Sequence, residues 1–393
     1  MESPVVAVLG GGQLGRMLGL AAIPLGVHCR FLDPVAGAPA AAVGPLVVGP
    51  LGDPAALDEV TAGARVVTYE WEGVPADAAR RLSERVAVRP GWRALSVAQD
   101  RLEEKTAFRR LGIGVPEFAA VDGRADLDAA LARIGTPAIL KTRRGGYDGK
   151  GQQVLRALAD ADAAFAALAG APLVLEAMVP FDRELSVIAA RGPDGDVRCF
   201  PVVENLHRDG ILRVSRVPGP DTADARQADA EAIAQRLLDD LDYEGVLTVE
   251  LFDVGGVLLA NEIAPRVHNS GHWTIEGAET SQFEQHLRAV LDYPLGSTAM
   301  TAPVVVMANV LGGAAAADDW AGAPLDERVH HFMAHWPDVK LHWYGKGQRP
   351  GRKLGHVTAL GTDVAEVRAR AVAAARYLAD GVVDEANAAS SEH

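Results

Sequence analysis

The sequence predicts a multidomain protein of mixed α/β and α+β class, and three observations carry that expectation. At 393 residues the chain is too long for one compact core, so two or three domains are expected. Its opening alternates strand, helix and strand around a glycine-rich turn, the pattern of a Rossmann-like, doubly wound parallel sheet. Further on, short strands, helices and a two-stranded hairpin mix without that alternation.

Val5–Leu9 reads as a buried strand, followed by Gly10-Gly11-Gly12-Gln13-Leu14-Gly15 and a helical stretch from Arg16 to Leu25. His28–Leu32 is a second strand ending at Asp33, and Val66–Tyr69 is a third, rich in β-branched residues. Arg89-Pro90 and Gly91-Trp92 break the pattern and set a first domain at residues 1–95. From Ser96 to Leu111 the spacing is that of one helix, ended by Gly112 and Gly114-Val115-Pro116. Asp126–Ile134 is helical, Ala138–Thr142 is a strand, and a loop over Arg143–Gln152 leads to a strand around Val154. Leu173–Glu176 and Glu184–Ala190 read as strands, and Asp224–Leu241 as a long amphipathic helix. Val246–Asp253 and Val257–Ile263 form a hairpin around Gly255-Gly256. These elements make a second domain, residues 96–300, in two parts divided near residue 171. Residues 301–393 are a small third domain. It holds strands Val304–Asn309 and Val339–Tyr344, an Ala-rich loop Gly312–Ala317 and a terminal helix Val364–Tyr377.

Composition narrows the function. With 49% hydrophobic and 23% charged residues the chain has ample material for buried cores. A net charge of −14 argues against nucleic acid as a partner, because phosphate backbones reward basic faces. No stretch is long and apolar enough to cross a bilayer, and no basic leader precedes Val5. Cys29 and Cys199 are lone cysteines far apart, so a soluble, cytoplasmic protein is expected. Only six of the 38 basic residues are Lys, and Lys141, Lys150, Lys346 and Lys353 among them fall inside the glycine-rich motifs described next. A compact ammonium is not equivalent to a guanidinium at a phosphate.

Gly10-x-Gly12-x-x-Gly15 after a strand, with Asp33 about 20 residues on, matches the dinucleotide fingerprint. Asp33-Pro34 equally suits a turn that ends the strand. More informative is the run from Lys141 to Gln152, where a strand delivers one Lys and a loop follows with four glycines and Lys150. Backbone amides freed by glycine close on phosphate oxygens, and ammonium groups neutralise their charge. It lacks the Gly-Lys-Ser/Thr ending of a P-loop, so a flap between β elements would hold the nucleotide.

The hairpin carries Glu250 on one strand and Asn261-Glu262 on the other. A two-residue turn would pair Glu250 with Asn261; a longer turn with a Gly bulge would pair Glu250 with Glu262 on one face. The second register, through a turn longer than two residues, is the expectation. Two facing carboxylates in an apolar hairpin repel unless a cation lies between them, and Mg²⁺ bearing nucleotide phosphates fits. Ala264–Trp273 then supplies Arg266, His268, Asn269, Ser270 and His272, donors able to hold a small oxyanion. Gly271 and Pro265 make a metal-binding helix there improbable, and one of the histidines could cap a turn. Finally Tyr344–Lys353 holds four cations and no acid, a loop suited to a phosphate.

In this order the motifs resemble the ATP-grasp superfamily and, within it, the N5-carboxyaminoimidazole ribonucleotide synthases. The matching words are GGGQLGRM (Gly10–Met17), TYEWE (Thr68–Glu72), QDRLEEK (Gln99–Lys105) and GGYDGKGQ (Gly145–Gln152). NLHRDGIL (Asn205–Leu212), NEIAPRVHNSGHW (Asn261–Trp273) and LHWYGKGQRPGRKLGH (Leu341–His356) complete the set. The resemblance implies an ATP-grasp fold between a Rossmann-like pre-ATP-grasp domain and a small C-terminal domain. It implies an ATP-dependent carbon–nitrogen ligase that joins bicarbonate to 5-aminoimidazole ribonucleotide in purine biosynthesis, with Mg²⁺, often as a homodimer. By the same resemblance Arg101, Lys141, Gly146, Tyr147, Asp148, Gly149, Lys150, Gly151 and Gln152 belong to the ATP site. Glu176, Ala177, Met178, Val179, Glu184, His207, Asn261 and Glu262 join them there. Glu250 and Glu262 would hold the metal. Glu72, Tyr147, Asn269, Lys346, Arg352 and Lys353 would bind the ribonucleotide, while Asp148, Lys150, Arg266 and His268 take part in catalysis. Competing readings are a biotin carboxylase or a formate-dependent glycinamide ribonucleotide ligase. Outside the superfamily they are an NAD-dependent dehydrogenase or a non-catalytic nucleotide-binding regulator.

Overall fold

Four apolar residues of the first strand, Val6 to Leu9, are fully buried, because helices cover both faces of the sheet they centre. The computed structural model describes residues 3–146, 149–218, 225–313 and 324–381. The first sheet is parallel, with β1 (Val5–Leu9), β2 (His28–Asp33), β3 (Leu46–Val48) and β4 (Val66–Tyr69) in the order β3-β2-β1-β4. Helix α1 (Gln13–Ala22) follows the glycine turn, and α2 (Pro54–Thr61) and α3 (Ala76–Ser83) complete this unit.

The single helix expected over Ser96–Leu111 is two, α4 (Trp92–Ala98) and α5 (Arg101–Arg110). Asp100 breaks them: its carboxylate accepts the Leu102 amide at 3.1 Å, capping α5, and binds Arg143 at 2.9 Å and Arg144 at 3.1 Å. Apolar periodicity runs straight through such a cap, so the pattern alone does not show it.

A second, four-stranded sheet holds β5 (Phe118–Val121), β6 (Ala138–Thr142), β7 (Gln152–Leu155) and β8 (Leu173–Ala177), ordered β5-β8-β6-β7 and antiparallel throughout. β8 lies between β5 and β6, so this sheet includes residues up to Ala177. The third sheet begins with β9 (Arg183–Arg191), β10 (Val197–Cys199), β11 (Val203–Arg208) and β12 (Ile211–Val217). It continues with β13 (Gly245–Val254), β14 (Val257–Ala264), β15 (Val304–Leu311), β16 (Lys340–Trp343) and β17 (Lys353–Gly361). Its order is β14-β13-β9-β11-β12-β15-β17-β16, with β10 paired to β9. The C-terminal strands therefore extend the large sheet through β12 and β15 instead of forming a sheet of their own. Asp224 of the expected long helix, and Ala314–Ala317 of the Ala-rich loop, lie outside the described residues; the helix itself is observed over Ala225–Asp240.

His286, on a helix over Gln282–Leu291, joins the first sheet to the large one. Its Nδ1 accepts the Val246 amide at 3.1 Å, which leaves the proton on Nε2, 2.7 Å from Thr68 Oγ1. Burial pushes this imidazole down to about 3, so it stays neutral.

Gly44 sits where the chain passes under β2: a Cβ there would lie 2.4 Å from the Cys29 carbonyl oxygen and 2.9 Å from the Phe31 ring. Gly44→Ala must push that strand aside, and we expect a loss of about 1–3 kcal/mol, read as a lower urea midpoint at unchanged slope.

Candidate active site

A cleft of about 630 Å³ opens between the glycine turn of the first sheet and the other two sheets. At its centre stand Glu250 and Glu262. Strands β13 and β14 pair Val254 with Val257, so the Gly255-Gly256 turn is the two-residue type, not the longer one expected. Farther along, Leu251 pairs with Ala260 but Glu250 pairs with Glu262, because Asn261 is an extra, bulged residue in β14. The facing pair arises, by a bulge in the strand and not by the turn. Burial, then the charge of Glu262, pushes Glu250 up to about 7. Burial would also raise Glu262, but Arg101, with Nη1 2.9 Å from its Oε2, outweighs it and holds that carboxyl below the usual range. A facing, half-buried carboxylate pair of this kind suits a divalent cation that also carries phosphate and water, so Mg²⁺ fits these residues.

Lys141 reaches this centre from β6. Its ammonium is 2.9 Å from Glu176 Oε2 and buried, and burial lowers its proton affinity against the pull of Glu176. Burial works on Glu176 in the opposite sense, yet Lys105 and Lys141 bring it down to about 2. Arg101 also donates to the Gly146 carbonyl at 3.1 Å, tying α5 to the glycine flap. That flap is folded tightly: a Cβ on Gly146 would meet the Lys150 carbonyl at 2.8 Å, and one on Gly151 the Thr142 hydroxyl at 2.7 Å. Gly146, Gly149, Lys150 and Gln152 line the cleft, whereas Tyr147 and Asp148 lie outside the described residues.

The oxyanion loop is ordered by its own hydrogen bonds. Arg266 grips Glu72 with two donors, Nε to Oε2 at 2.7 Å and Nη2 to Oε1, so these two predicted site residues form one fork. His268 caps a short turn: its Nδ1 accepts the Ser270 amide at 3.3 Å, leaving Nε2–H to face Glu250 Oε1 at 3.3 Å. Burial, then Arg266, holds the ring well below its ordinary value, hence neutral. A buried relay of donors fixes it further: Ser215 to Asn205 at 2.7 Å, Asn205 to Ser186 at 3.0 Å, Ser186 to Ser270 at 2.9 Å. Asn269 and Asn309 exchange amide bonds at 3.1 and 2.7 Å. His207 binds Glu184 at 2.8 Å, which raises its proton affinity against burial.

The dinucleotide reading fails at the glycine turn. Glu70 Oε1 accepts the Gly12 amide at 2.9 Å, its Oε2 the Gly15 amide at 3.3 Å, and Asp33 takes the Gly11 amide at 2.8 Å. A protein carboxylate stands where a pyrophosphate would bind, and Asp33 closes the turn instead of facing a ribose.

Several predicted residues lie off the cleft wall. Glu176 stands behind Lys141, and the amides of Ala177 and Met178 donate to Glu117 and Pro137 at 2.8 and 3.1 Å; Val179 does not line the cleft. Lys353, the first residue of β17, does line it. Lys346 binds Gln13 Oε1, and Arg352 donates to the Gly347 carbonyl at 3.0 Å; both stand beside the cleft rather than on its wall. Phe181 and Phe252, which stack with centroids 4.8 Å apart on the wall near Glu184, are not among the expected site residues, nor is Asn309, which holds Asn269. Phe252 in a strand looks like core, and Phe181 in a loop shows no pattern, until the fold stacks them on the cleft wall.

Family profiles match the chain in three consecutive pieces: a ribonucleotide synthetase preATP-grasp domain over residues 4–99, an ATP-grasp domain over 106–283, and a phosphoribosylaminoimidazole carboxylase C-terminal domain over 305–370. The N5-carboxyaminoimidazole ribonucleotide synthase of Pseudomonas aeruginosa is 49% identical over 365 residues, 93% of this chain and 97% of its own. The chain belongs to the N5-carboxyaminoimidazole ribonucleotide synthase family. The crystal structure of the Thermus thermophilus synthetase matches with a TM-score of 0.86 at 49% identity, covering 96% of this chain and 99% of that one. The Aspergillus clavatus synthase, solved in complex with ADP and 5-aminoimidazole ribonucleotide, matches with a TM-score of 0.86 at 30% identity, covering 96% and 99%. As a member of this synthase family the chain is an ATP-dependent ligase with the ATP-grasp fold.

The facing carboxylates make stability depend on pH with a definite sign. Glu250 is raised from 4.5 to about 7 in the folded chain, so it contributes stability below the lower value that is lost as pH rises through the upper one. Compared with Glu250→Gln, the wild type should lose on the order of 2 kcal/mol between about pH 5 and pH 8. Urea titrations of both proteins across that window check this, and added Mg²⁺ should restore the wild type at the alkaline end only.

Proposed function

We propose that the chain carboxylates 5-aminoimidazole ribonucleotide with bicarbonate and ATP, by way of carboxyphosphate, in purine biosynthesis. The observation that carries this is the meeting, in one cleft, of the glycine flap, the Glu250–Glu262 pair and the Arg266–Asn269 loop. Bicarbonate is a poor electrophile until phosphorylated. One of its oxygens attacks the γ-phosphorus, ADP leaves, and the ribonucleotide amine then attacks the carboxyl carbon as phosphate departs and the nitrogen loses a proton.

Within this reading Glu250 and Glu262 would hold Mg²⁺, which screens the charge of the transferring phosphoryl when bound. Lys141 adds positive charge on the other side, and Arg101 keeps Glu262 ionised. The flap from Gly146 to Gln152 covers the phosphates with its amides. Phe181 and Phe252 offer an apolar wall to the adenine, with His207 and Glu184 beside it. Neutral His268, with its proton on Nε2, donates to an oxyanion, and Arg266 supplies a fixed charge nearby. Asp148 and Lys150 would orient the attacking amine. Glu72, Tyr147 and Asn269 would contact the ribonucleotide, and Lys353 with Lys346 and Arg352 would hold its phosphate. A cytoplasmic homodimer completes the reading, supported by the lone thiols Cys29 and Cys199 and by family likeness.

ADP release should therefore need Mg²⁺ and rise sharply when bicarbonate and 5-aminoimidazole ribonucleotide are both present. Turnover that ignores the ribonucleotide would overturn the substrate assignment. Lys353→Ala should raise KM for the ribonucleotide roughly tenfold, the order of one charge-assisted bond, with KM for ATP little changed. A variant that melts earlier but keeps its ribonucleotide KM would make Lys353 a structural cation instead.

A further inference from the structure

Helix α5 lies along the outer edge of β14, and one of its faces meets the strand where the bulge sits. Arg101 binds the Glu262 carboxylate. One turn on, Glu104 Oε1 accepts the Ile263 amide at 2.7 Å, and Lys105 Nζ donates to the Asn261 carbonyl at 3.1 Å. Just past the helix, the Gly114 carbonyl accepts the Ala260 amide at 2.7 Å. Positions three and four apart share a helix face, so one turn presents all three polar side chains together.

These bonds stand in for the neighbouring strand that an edge strand lacks. They also act at the one place where β14 has two registers open to it. With a two-residue turn and no bulge, Glu250 would face Asn261, and Glu262 would turn away. Glu104 and Lys105 bond to the backbone on either side of Glu262, in the register that contains the bulge. Both are almost fully buried, at 2% and 1% exposure. Burying such ionisable side chains carries a desolvation cost that well-packed apolar side chains would avoid, so stability alone is a poor account of them. Lys105 is in addition 3.2 Å from Glu176 Oε2, the oxygen that holds Lys141. One ammonium thus links the bulge of the large sheet to the lysine delivered by the small one.

We propose that Glu104 and Lys105 are positioning residues for phosphoryl transfer: they hold Asn261 out of the ladder, keep Glu250 and Glu262 face to face, and set Lys141 against the same centre. The proposal rests on the ligase reading of this cleft. Neither residue has to touch substrate.

The test compares Glu104→Met, which removes the acceptor, with Glu104→Gln, whose amide oxygen can still accept the Ile263 amide. Lys105→Met is a third variant. Two quantities are measured: kcat with saturating substrates, and the ratio of ADP affinities with Mg²⁺ and with chelator, by calorimetry. Glu104→Met should lower both by roughly tenfold or more while the ribonucleotide KM stays within about twofold. Glu104→Gln should stay within about twofold of wild type in every respect, and Lys105→Met should follow Glu104→Met. If Lys105→Met does not fold, the Met and Gln variants at 104 decide alone. Wild-type kcat and Mg²⁺ dependence in Glu104→Met would overturn the proposal. So would an equal loss in Glu104→Gln, or a lower melting temperature with the Mg²⁺ ratio unmoved. Should the wild type bind Mg²⁺-ADP yet show no ribonucleotide-dependent turnover, the substrate assignment falls, and the calorimetric ratio still judges the clamp.

Discussion

Glu250 and Glu262 face each other across β13 and β14, at the centre of a cleft that leaves both only partly exposed to water. An isolated hairpin would avoid that arrangement by losing the bulge, which sends Glu262 and the residues after it to the opposite face. The fold blocks the slip by fixing β14 from both sides. On the inner side, β13 is paired along its whole length to β9. On the outer side, helix α5 and Gly114 take up backbone groups that β14, as an edge strand, would leave without partners. Burial first, and the repulsion from Glu262 second, push Glu250 up. A metal carrying phosphate would be drawn to a site so prepared, because binding removes a cost that folding has already met.

Around that pair, charge alternates in space. Arg101 neutralises Glu262, Lys105 and Lys141 share Glu176, and Arg266 holds Glu72. Each cation is committed to a carboxylate that a substrate phosphate could partly replace. Such a site stays closely balanced without ligand, which limits the desolvation cost of holding so many charges in one cleft. His268 is the exception. Packed against Arg266 and kept neutral by burial, it offers a proton on a fixed nitrogen and no net charge.

Much of this was legible in the residues, and what was not has physical reasons. The glycine flap could be read because glycine after a strand-borne Lys has few other uses, and the hairpin because Gly255-Gly256 sits between two alternating runs. The expected partner of Glu250 was right, yet its cause was not, because a bulge has no residue signature as strong as that of a turn. The cap at Asp100 was hidden inside helical periodicity. Asn309, Ser186 and Ser215 act through partners far away in sequence, and a single chain read in order shows no such pairing. The continuity of the large sheet was hidden for the same reason, since β12 and β15 are neighbours only in space.

The glycine turn makes the same point from the opposite direction. Gly10, Gly12 and Gly15 meet every local requirement of a dinucleotide fingerprint: a buried strand, a tight turn and a helix start. A Cβ on Gly10 or Gly12 would strike the Glu70 carboxylate at 2.7 or 2.8 Å, so these glycines serve the approach of a side chain. The geometry that elsewhere admits a phosphate here admits a carboxylate from the end of β4; burial raises it, and the Gly12 amide, Arg266 and the Gly15 amide offset that only in part. With its donors satisfied internally, the turn becomes a rigid wall of the cleft and presents Gln13 beside Lys346. A glycine pattern therefore specifies where a backbone can be approached. The group that approaches it is decided by the next strand, and in this chain Glu70 excludes the dinucleotide.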